Sequence, residues 1–263
     1  MIQGAPTALT ESDYWDVYWS SLALPSEIQK SHTLYIDELL QIFETYLPRG
    51  ESLSALEIGG APGGYLAFLH KTLGYDIAAL DYSHVGCQKT AENFALLSIN
   101  GRVYRGDFFN AAGELPRFDV VFSLGLIEHF VDLQEVVEAH LRYLKPEGVL
   151  MLGCPNFLGV NHWIVRRLAP ELLAVHNLAA MDLRRWALLE QEFNLTRLFC
   201  GYIGGFEPFL AGRCESRHLP DRALWFALRQ LGKVLNSRLT RPLRRLNSRH
   251  WSGYLMGVYR VSE

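Results

Sequence analysis

Residues 56–70 read LEIGGAPGGYLAFLH, an apolar strand end that runs into small residues and then into a helical pattern. Glu57 closes the strand, and Gly59, Gly60, Ala61 and Gly63 follow before a helix beginning near Tyr65. Small residues in such a loop let the backbone approach a ligand and permit positive φ, and the unpaired amides of the helix start favour an anion. Gly59, Ala61 and Gly64 also fit a degraded dinucleotide fingerprint, with Asp81 at the spacing of a ribose-binding acid. The loop predicts an adenosine-type ligand and leaves its identity open.

Outward from this loop, short apolar runs (LSALEIG, DIAALD, RVYRGD, DVVFSLG, GVLMLGC) alternate with helix-length amphipathic stretches. That alternation predicts an α/β fold, a mostly parallel sheet with helices on both faces. In LQEVVEAHLRYL, for example, Leu133, Val136, Val137, Leu141 and Leu144 share one face, with Asp132 as the cap. Further on, MDLRRWALLEQEF reads as a helix, LTRLFCGYIG as a sixth strand and SGYLMGVYRVS as a final alternating strand. Before the loop come two helices. One is aromatic, with Tyr14 over Tyr18 and Trp15 over Trp19; the other carries Leu34, Ile36, Leu39, Leu40 and Phe43 and stops at Pro48 and Gly50. The expected division is a helical lid over 1–50, a core over 51–205, a helical basic insertion over 206–250 and a last core strand over 251–263, together one structural domain.

The chain has 263 residues, 49% of them hydrophobic, and a net charge of −3, which argues against a dedicated nucleic-acid binder. Cys87, Cys154, Cys200 and Cys214 are scattered, with no paired spacing for a structural metal. The N-terminus lacks a secretory pattern, and no apolar run approaches the ~18 residues of a spanning helix. A cytoplasmic protein is expected.

Three strand ends complete the candidate site. Asp81, in AALDYS, is placed to accept ribose hydroxyls, with Tyr82 against the adenine face. Asp107, in RGDFF, is placed to accept from the adenine amino group, with Phe108 as a second ring wall. Ser123 and Leu124 close the fourth strand at the carboxyl edge, where open α/β sheets bind ligands. Either aspartate alone could cap its own turn; both at cofactor distance after a glycine loop favour a site.

In this order, Glu57 to Gly63, Asp81, Gly106-Asp107, Phe118-Asp119-Val120-Val121, Glu128-His129 and Leu144 to Gly148 resemble the motifs of class I S-adenosylmethionine-dependent methyltransferases, across roughly residues 53–155. The resemblance implies a Rossmann-like seven-stranded sheet with an antiparallel last strand, and S-adenosyl-L-methionine as cofactor across the ends of strands one to four. It implies Gly59 and Ala61 beside the methionine moiety, Asp81 on the ribose and Asp107 at the adenine. Ala61 departs from the glycine more usual there, a change small enough to retain binding.

Methyl transfer needs an acceptor aligned with the methyl–sulfur bond and shielded from water, and a hydroxyl acceptor also needs a base. His129, in IEHF, is the candidate base, although a Glu-His pair could instead organise its loop. His162 and His176 read as surface or packing residues. The turn also resembles that of ubiquinone-type O-methyltransferases, where an additional acid helps hold a divalent metal. Gly125 occupies that place here, so no metal is expected. The acceptor is expected beneath the N-terminal helix and the 155–250 region, with Trp15, Tyr18 and Trp19 as stacking candidates. Residues 222–249 contain Arg222, Arg229, Lys233, Arg238, Arg241, Arg244, Arg245 and Arg249 and no acid, beside a stripe of Leu224, Leu228, Leu231 and Leu235. Such a segment can lie on an anionic membrane surface or receive a phosphorylated substrate, and it equally fits a solvated face over a core stripe. The expected function is thus methylation, at oxygen, of a small-molecule or lipid- or sugar-linked acceptor. The rivals are an NAD(P)-dependent Rossmann oxidoreductase, for which no Tyr-x-x-x-Lys pair stands at the appropriate strand end, and an inactive methyltransferase-like binding or membrane-surface protein.

Overall fold

The computed structural model describes residues 8–30, 33–208, 218–236 and 246–262. Seven strands, β1 (Ser54–Ile58), β2 (Asp76–Asp81), β3 (Arg102–Arg105), β4 (Phe118–Leu124), β5 (Leu144–Pro155), β6 (Leu195–Phe206) and β7 (Ser252–Val261), form one sheet in the order β3-β2-β1-β4-β5-β7-β6. Strands β1 to β5 are parallel, and β7 runs antiparallel between β5 and β6.

The two-residue period of a strand sends alternate side chains to opposite faces, and here both faces are buried, which is why the strands read as continuous apolar runs. Leu56, Ile58, Leu80, Val121 and Leu150 pack on one side; Ala55, Ile77, Ala79, Val120 and Phe122 pack on the other. Helices α5 (Leu133–Leu141), α6 (Val160–Leu168) and α7 (Leu183–Glu192) cover the first face through Val136, Val137, Ile164, Val165 and Trp186. The second face is covered by α2 (Leu34–Tyr46), α3 (Gly64–Phe68, continued by a π-helical turn Leu69–Leu73) and α4 (His84–Leu96), through Leu39, Leu40, Phe43, Leu66 and Phe94. Asp132 caps α5 as expected, its carboxylate accepting from the Gln134 and Glu135 amides.

The N-terminal 50 residues divide in two. Among the described residues, α1 (Ser12–Ser20) packs on α4 and lines a cavity, whereas α2 is a structural layer of the core rather than part of a lid. β6 runs to Phe206, just past the expected core boundary. Within 206–250, α8 (Leu219–Leu235) is helical as expected, and residues 246–248 approach β7 without helical structure. The leucine stripe is narrower than expected: Leu224 and Leu228 pack inward, while Leu231 and Leu235 are exposed. Arg238, Arg241, Arg244 and Arg245 lie outside the described residues, as does Cys214. Among the described residues no helix is long and apolar enough to cross a membrane.

β1 pairs with β2 on one side and β4 on the other, so successive crossovers leave it in opposite directions. At such a reversal the carboxyl ends of the strands open a crevice. The glycine loop after β1 sits in it.

Candidate active site

Gly59 turns the chain at the end of β1 with φ +68°, its amide bonded to the Leu80 carbonyl at 2.9 Å. Gly63, at φ +80°, is the residue from which α3 starts. Gly60 is required for a different reason: a Cβ there would lie 2.0 Å from the Glu57 carboxyl carbon. The loop is thus wrapped directly over that carboxyl group, which is 1% exposed and leaves Oε2 without a partner. Burial holds the Glu57 pKa well above the usual carboxylate range, and the nearby Asp81 adds to the effect.

Asp81 ends β2. Its Oδ1 accepts from the Ser83 amide at 2.8 Å, while its Oδ2 is buried with no partner. Burial pushes its pKa up to about 6 against the pull of the Ser83 hydrogen bond. An acceptor left orphaned at a cavity wall is costly unless a ligand supplies a donor. Ser83 also ties α1 down, its hydroxyl donating to Asp16 of that helix. Trp15 and Trp19 stack at 5.5 Å on α1, and Trp15 donates to the Thr10 hydroxyl at 3.0 Å.

These elements enclose a cavity of about 350 Å³, within the ~300–1,000 Å³ usual for small-molecule sites. Gly59, Asp81, Tyr82, Asp107, Phe108 and His129 come together on its wall. Glu57, Gly60, Ala61 and Gly63 shape the loop from behind. Asp107 caps its own turn, accepting from the Phe109 amide at 3.0 Å and the Asn110 side chain at 2.6 Å, and lines the cavity as well. Ser123 and Leu124 lie off the wall. The Ser123 hydroxyl donates to Nε2 of His140 at 2.9 Å, and His140 Nδ1 donates to the Val136 carbonyl at 2.7 Å. Ser123 is therefore committed to joining β4 to α5, and Leu124 packs in the core of the second face. The wall also includes Trp15, Trp19, Leu126, Phe109 and Phe130. Phe109 and Phe130 adjoin residues already singled out, so their aromaticity was the available signal; Leu126, against which a Cβ on Gly59 would stand at 2.9 Å, had none.

Opposite Asp81, the chain after β4 makes a single 3-10 turn, Ile127–His129, following Gly125 at φ +82°. A carbonyl can only accept, so His129 Nδ1 carries the proton it gives to the Val175 carbonyl at 2.8 Å, and Nε2 is left with its lone pair. Burial, with His176 nearby, lowers the His129 pKa to about 4. His176 is not a surface residue: it is largely buried, its ring centroid 4.5 Å from that of His129, with Nδ1 donating to the Leu172 carbonyl at 2.7 Å. Asn177 stitches the two segments together, its amide on the Glu128 carbonyl at 2.6 Å and its side chain on the Phe130 carbonyl at 2.9 Å. Glu128, 1% exposed, has Oε2 without a partner, and burial raises its pKa to about 8.

A family described as a methyltransferase domain matches residues 28–199. Among curated proteins, the ubiquinone biosynthesis O-methyltransferase of Caulobacter vibrioides is 32% identical over 108 residues, 40% of this chain and 42% of that protein. The matched stretch thus spans less than half of that relative. Among solved structures, the geranyl diphosphate C-methyltransferase of Streptomyces coelicolor superposes with a TM-score of 0.60 at 12% identity, covering 95% of this chain and 97% of the other. A SAM-dependent methyltransferase from Thiobacillus denitrificans gives 0.56 at 14% identity over 96% and 99%. The [4+2]-cyclase SpnF gives 0.62 at 15% identity over 99% and 98%. At these identities the structural likenesses bear on the fold alone.

Proposed function

The chain belongs to the methyltransferase-domain family, and on that premise we propose that it transfers a methyl group from S-adenosyl-L-methionine to an oxygen of a small-molecule or lipid- or sugar-linked acceptor. One observation carries the cofactor assignment: the buried, unpartnered Oδ2 of Asp81 at the cavity wall, opposite a loop whose glycines admit close approach. Ribose hydroxyls are the donors that this oxygen lacks. When bound, the cofactor supplies an activated methyl on a sulfonium that departs as a neutral thioether, so little chemistry is asked of the protein beyond alignment and the exclusion of water.

In this reading Asp81 holds the ribose, Tyr82 and Phe108 flank the adenine, and Asp107 receives its amino group. The Gly59 turn and Ala61 lie toward the methionine end. Trp15 and Trp19 roof the cavity and keep it dry. The name of the curated relative supports oxygen as the acceptor atom, and His129 Nε2 is a lone pair available to take the proton. With a pKa of about 4, His129 is too weak to ionise a phenol of pKa ~10 in advance, a cost of roughly 8 kcal/mol. It is suited instead to a hydroxyl proton that becomes acidic as the new oxygen–carbon bond forms. We read the enzyme as cytoplasmic, with the described part of α8 within the acid-free segment 222–249 facing an anionic membrane. The outward Leu219, Phe226 and Val234 of α8, beside Arg222, Arg229 and Lys233, support that contact.

Calorimetry with S-adenosylmethionine, S-adenosylhomocysteine and NADH tests the reading. Saturable binding of both adenosyl ligands, weakened in Asp81→Ala, with none of NADH, is the expected result. NADH binding without adenosyl-ligand binding would sink it.

A further inference from the structure

Two buried polar atoms of opposite kind lie near each other at the roof of the cavity, and neither has a hydrogen-bond partner in the protein. One is Oδ2 of Asp81, at the end of β2; the other is the indole Nε1 of Trp19, on α1. Both residues line the cavity, and both are buried, Trp19 at 8% exposure and Asp81 at 6%. Helix α4 shows how near the two atoms are: a Cβ built on Gly86 would stand 3.0 Å from Asp81 Oδ2 and 3.1 Å from Trp19 Nε1. Two atoms that each lie one hydrogen-bond length from a common point can be spanned by a single bridging oxygen. Trp15, one turn earlier on the same helix, offers no such group, because its indole N–H is already given to the Thr10 hydroxyl at 3.0 Å.

What each atom can do makes the pair selective. An indole N–H only donates and an ionised carboxylate only accepts, so one group that satisfies both must itself accept and donate. A hydroxyl does both; an ammonium only donates and an ether only accepts. Left unsatisfied, each buried atom is costly, and one hydroxyl recovers both costs. The pair is also held in place by the protein alone. After α1 the chain is tied to α4: Lys89 Nζ donates to the Leu22 carbonyl at 2.9 Å, and Asn93 exchanges two hydrogen bonds with the Ser26 backbone at 2.7 and 2.8 Å. The Ser83 hydroxyl donates to Asp16 within the helix. Before α1 the Leu9 amide donates to the His129 carbonyl at 2.8 Å, so the strap is fastened on both sides of the cavity. A donor fixed in advance loses little entropy when its ligand arrives.

We propose that Trp19 is a cofactor-binding residue that reads one ribose hydroxyl jointly with Asp81, the indole N–H donating to the hydroxyl oxygen while the hydroxyl donates to the carboxylate. The ligand class is an adenosine derivative in which that hydroxyl is free; a form lacking the hydroxyl leaves both protein groups unpaired again. The proposal rests on the adenosyl assignment and adds to it a residue from outside the strand ends. Helix α1 is then part of the cofactor site as well as its cover.

The test is calorimetric titration of the full chain and of Trp19→Phe, which keeps a ring over the cavity and removes the N–H. The ligands are S-adenosylhomocysteine and its 2′-deoxy and 3′-deoxy forms. The variant is expected to bind S-adenosylhomocysteine about 10-fold more weakly. One of the deoxy forms should bind the unsubstituted chain about 10-fold or more weakly than S-adenosylhomocysteine does. That form should lose less than about twofold further in Trp19→Phe, because the hydroxyl that the indole reads is already gone. Undiminished S-adenosylhomocysteine binding by the variant overturns the proposal, and so does a penalty equal for all three ligands, which is the mark of a packing role. If the variant does not fold, the unsubstituted chain with isotope-labelled indole nitrogens decides. An indole N–H whose exchange slows with S-adenosylhomocysteine but not with one of the deoxy forms supports the contact, and the lack of any such signal overturns it. S-adenosylhomocysteine binding that is equal in the unsubstituted chain and the variant removes this proposal alone. No binding by the unsubstituted chain removes the cofactor assignment, and this proposal with it.

Discussion

The two ends of the cavity are built differently. The Asp81 end is assembled from the termini of adjacent parallel strands, β1, β2 and β3, whose order and register place Gly59, Asp81 and Asp107 side by side. The His129 end is assembled from a turn after β4 and a loop far along the chain, held together by Asn177 and by the His129–Val175 hydrogen bond. The first end comes with the fold and would hold any ligand common to proteins sharing that fold. The second is free to vary, because few hydrogen bonds between loops define it, and under the proposed function it is where an acceptor would be chosen.

Substitutions at the two ends should therefore separate binding from turnover. His129→Ala is expected to lower kcat by about 100-fold or more while leaving S-adenosylhomocysteine affinity within about threefold, as steady-state kinetics beside calorimetry would show. An equal fall in both would erase the distinction between the ends. Asp81→Ala should weaken the adenosyl ligands by about 10–100-fold, the loss of hydrogen bonds to a charged acceptor.

The same aspartate should carry a cost in the empty protein. Its pKa is about 6 in the fold against an ordinary 3.8 for the side chain, so the native state binds more protons between these limits and stability falls as pH rises through them. Asp81→Asn is thus expected to stabilise the ligand-free chain at pH 7 by about 1–2 kcal/mol, and the gain should vanish below about pH 4. Thermal melts across that range would check it, and a gain that persists at pH 3 would argue for a packing effect instead. Ser123→Ala should cost about 1–2 kcal/mol of stability through the unpaired His140, with ligand affinity unchanged; a loss of affinity would return Ser123 to the cavity. The smallest effect expected is salt-sensitive sedimentation with anionic vesicles, weakened a few-fold by Arg222→Glu with Lys233→Glu and absent for neutral vesicles.

The sequence made the Asp81 end legible for a physical reason. Each feature there is local: a strand period, a glycine that must turn, an acid at the next strand end. The α5 cap at Asp132 was legible in the same way. What was not legible depends on contacts between distant segments. Ser123 stood at the right edge, yet nothing local announces that its hydroxyl is taken by His140. His176 read as a surface or packing residue, and only the folded loop shows that its packing partner is His129. Likewise α2 and α1 share an aromatic and apolar character, and only the packing of Leu39, Leu40 and Phe43 against the sheet shows that one is core while the other roofs the cavity.

The place of β7 bears on how the chain is made. It lies between β5 and β6 and pairs with both, so β6 leaves the ribosome well before the strand that completes its hydrogen bonding. During translation β6 is an unpaired strand beside an unfinished sheet, the kind of edge on which nascent chains aggregate. Two elements that contact it in the finished fold, α2 and α7, are synthesised first, which leaves a nascent β6 native surfaces to dock on before its neighbour emerges.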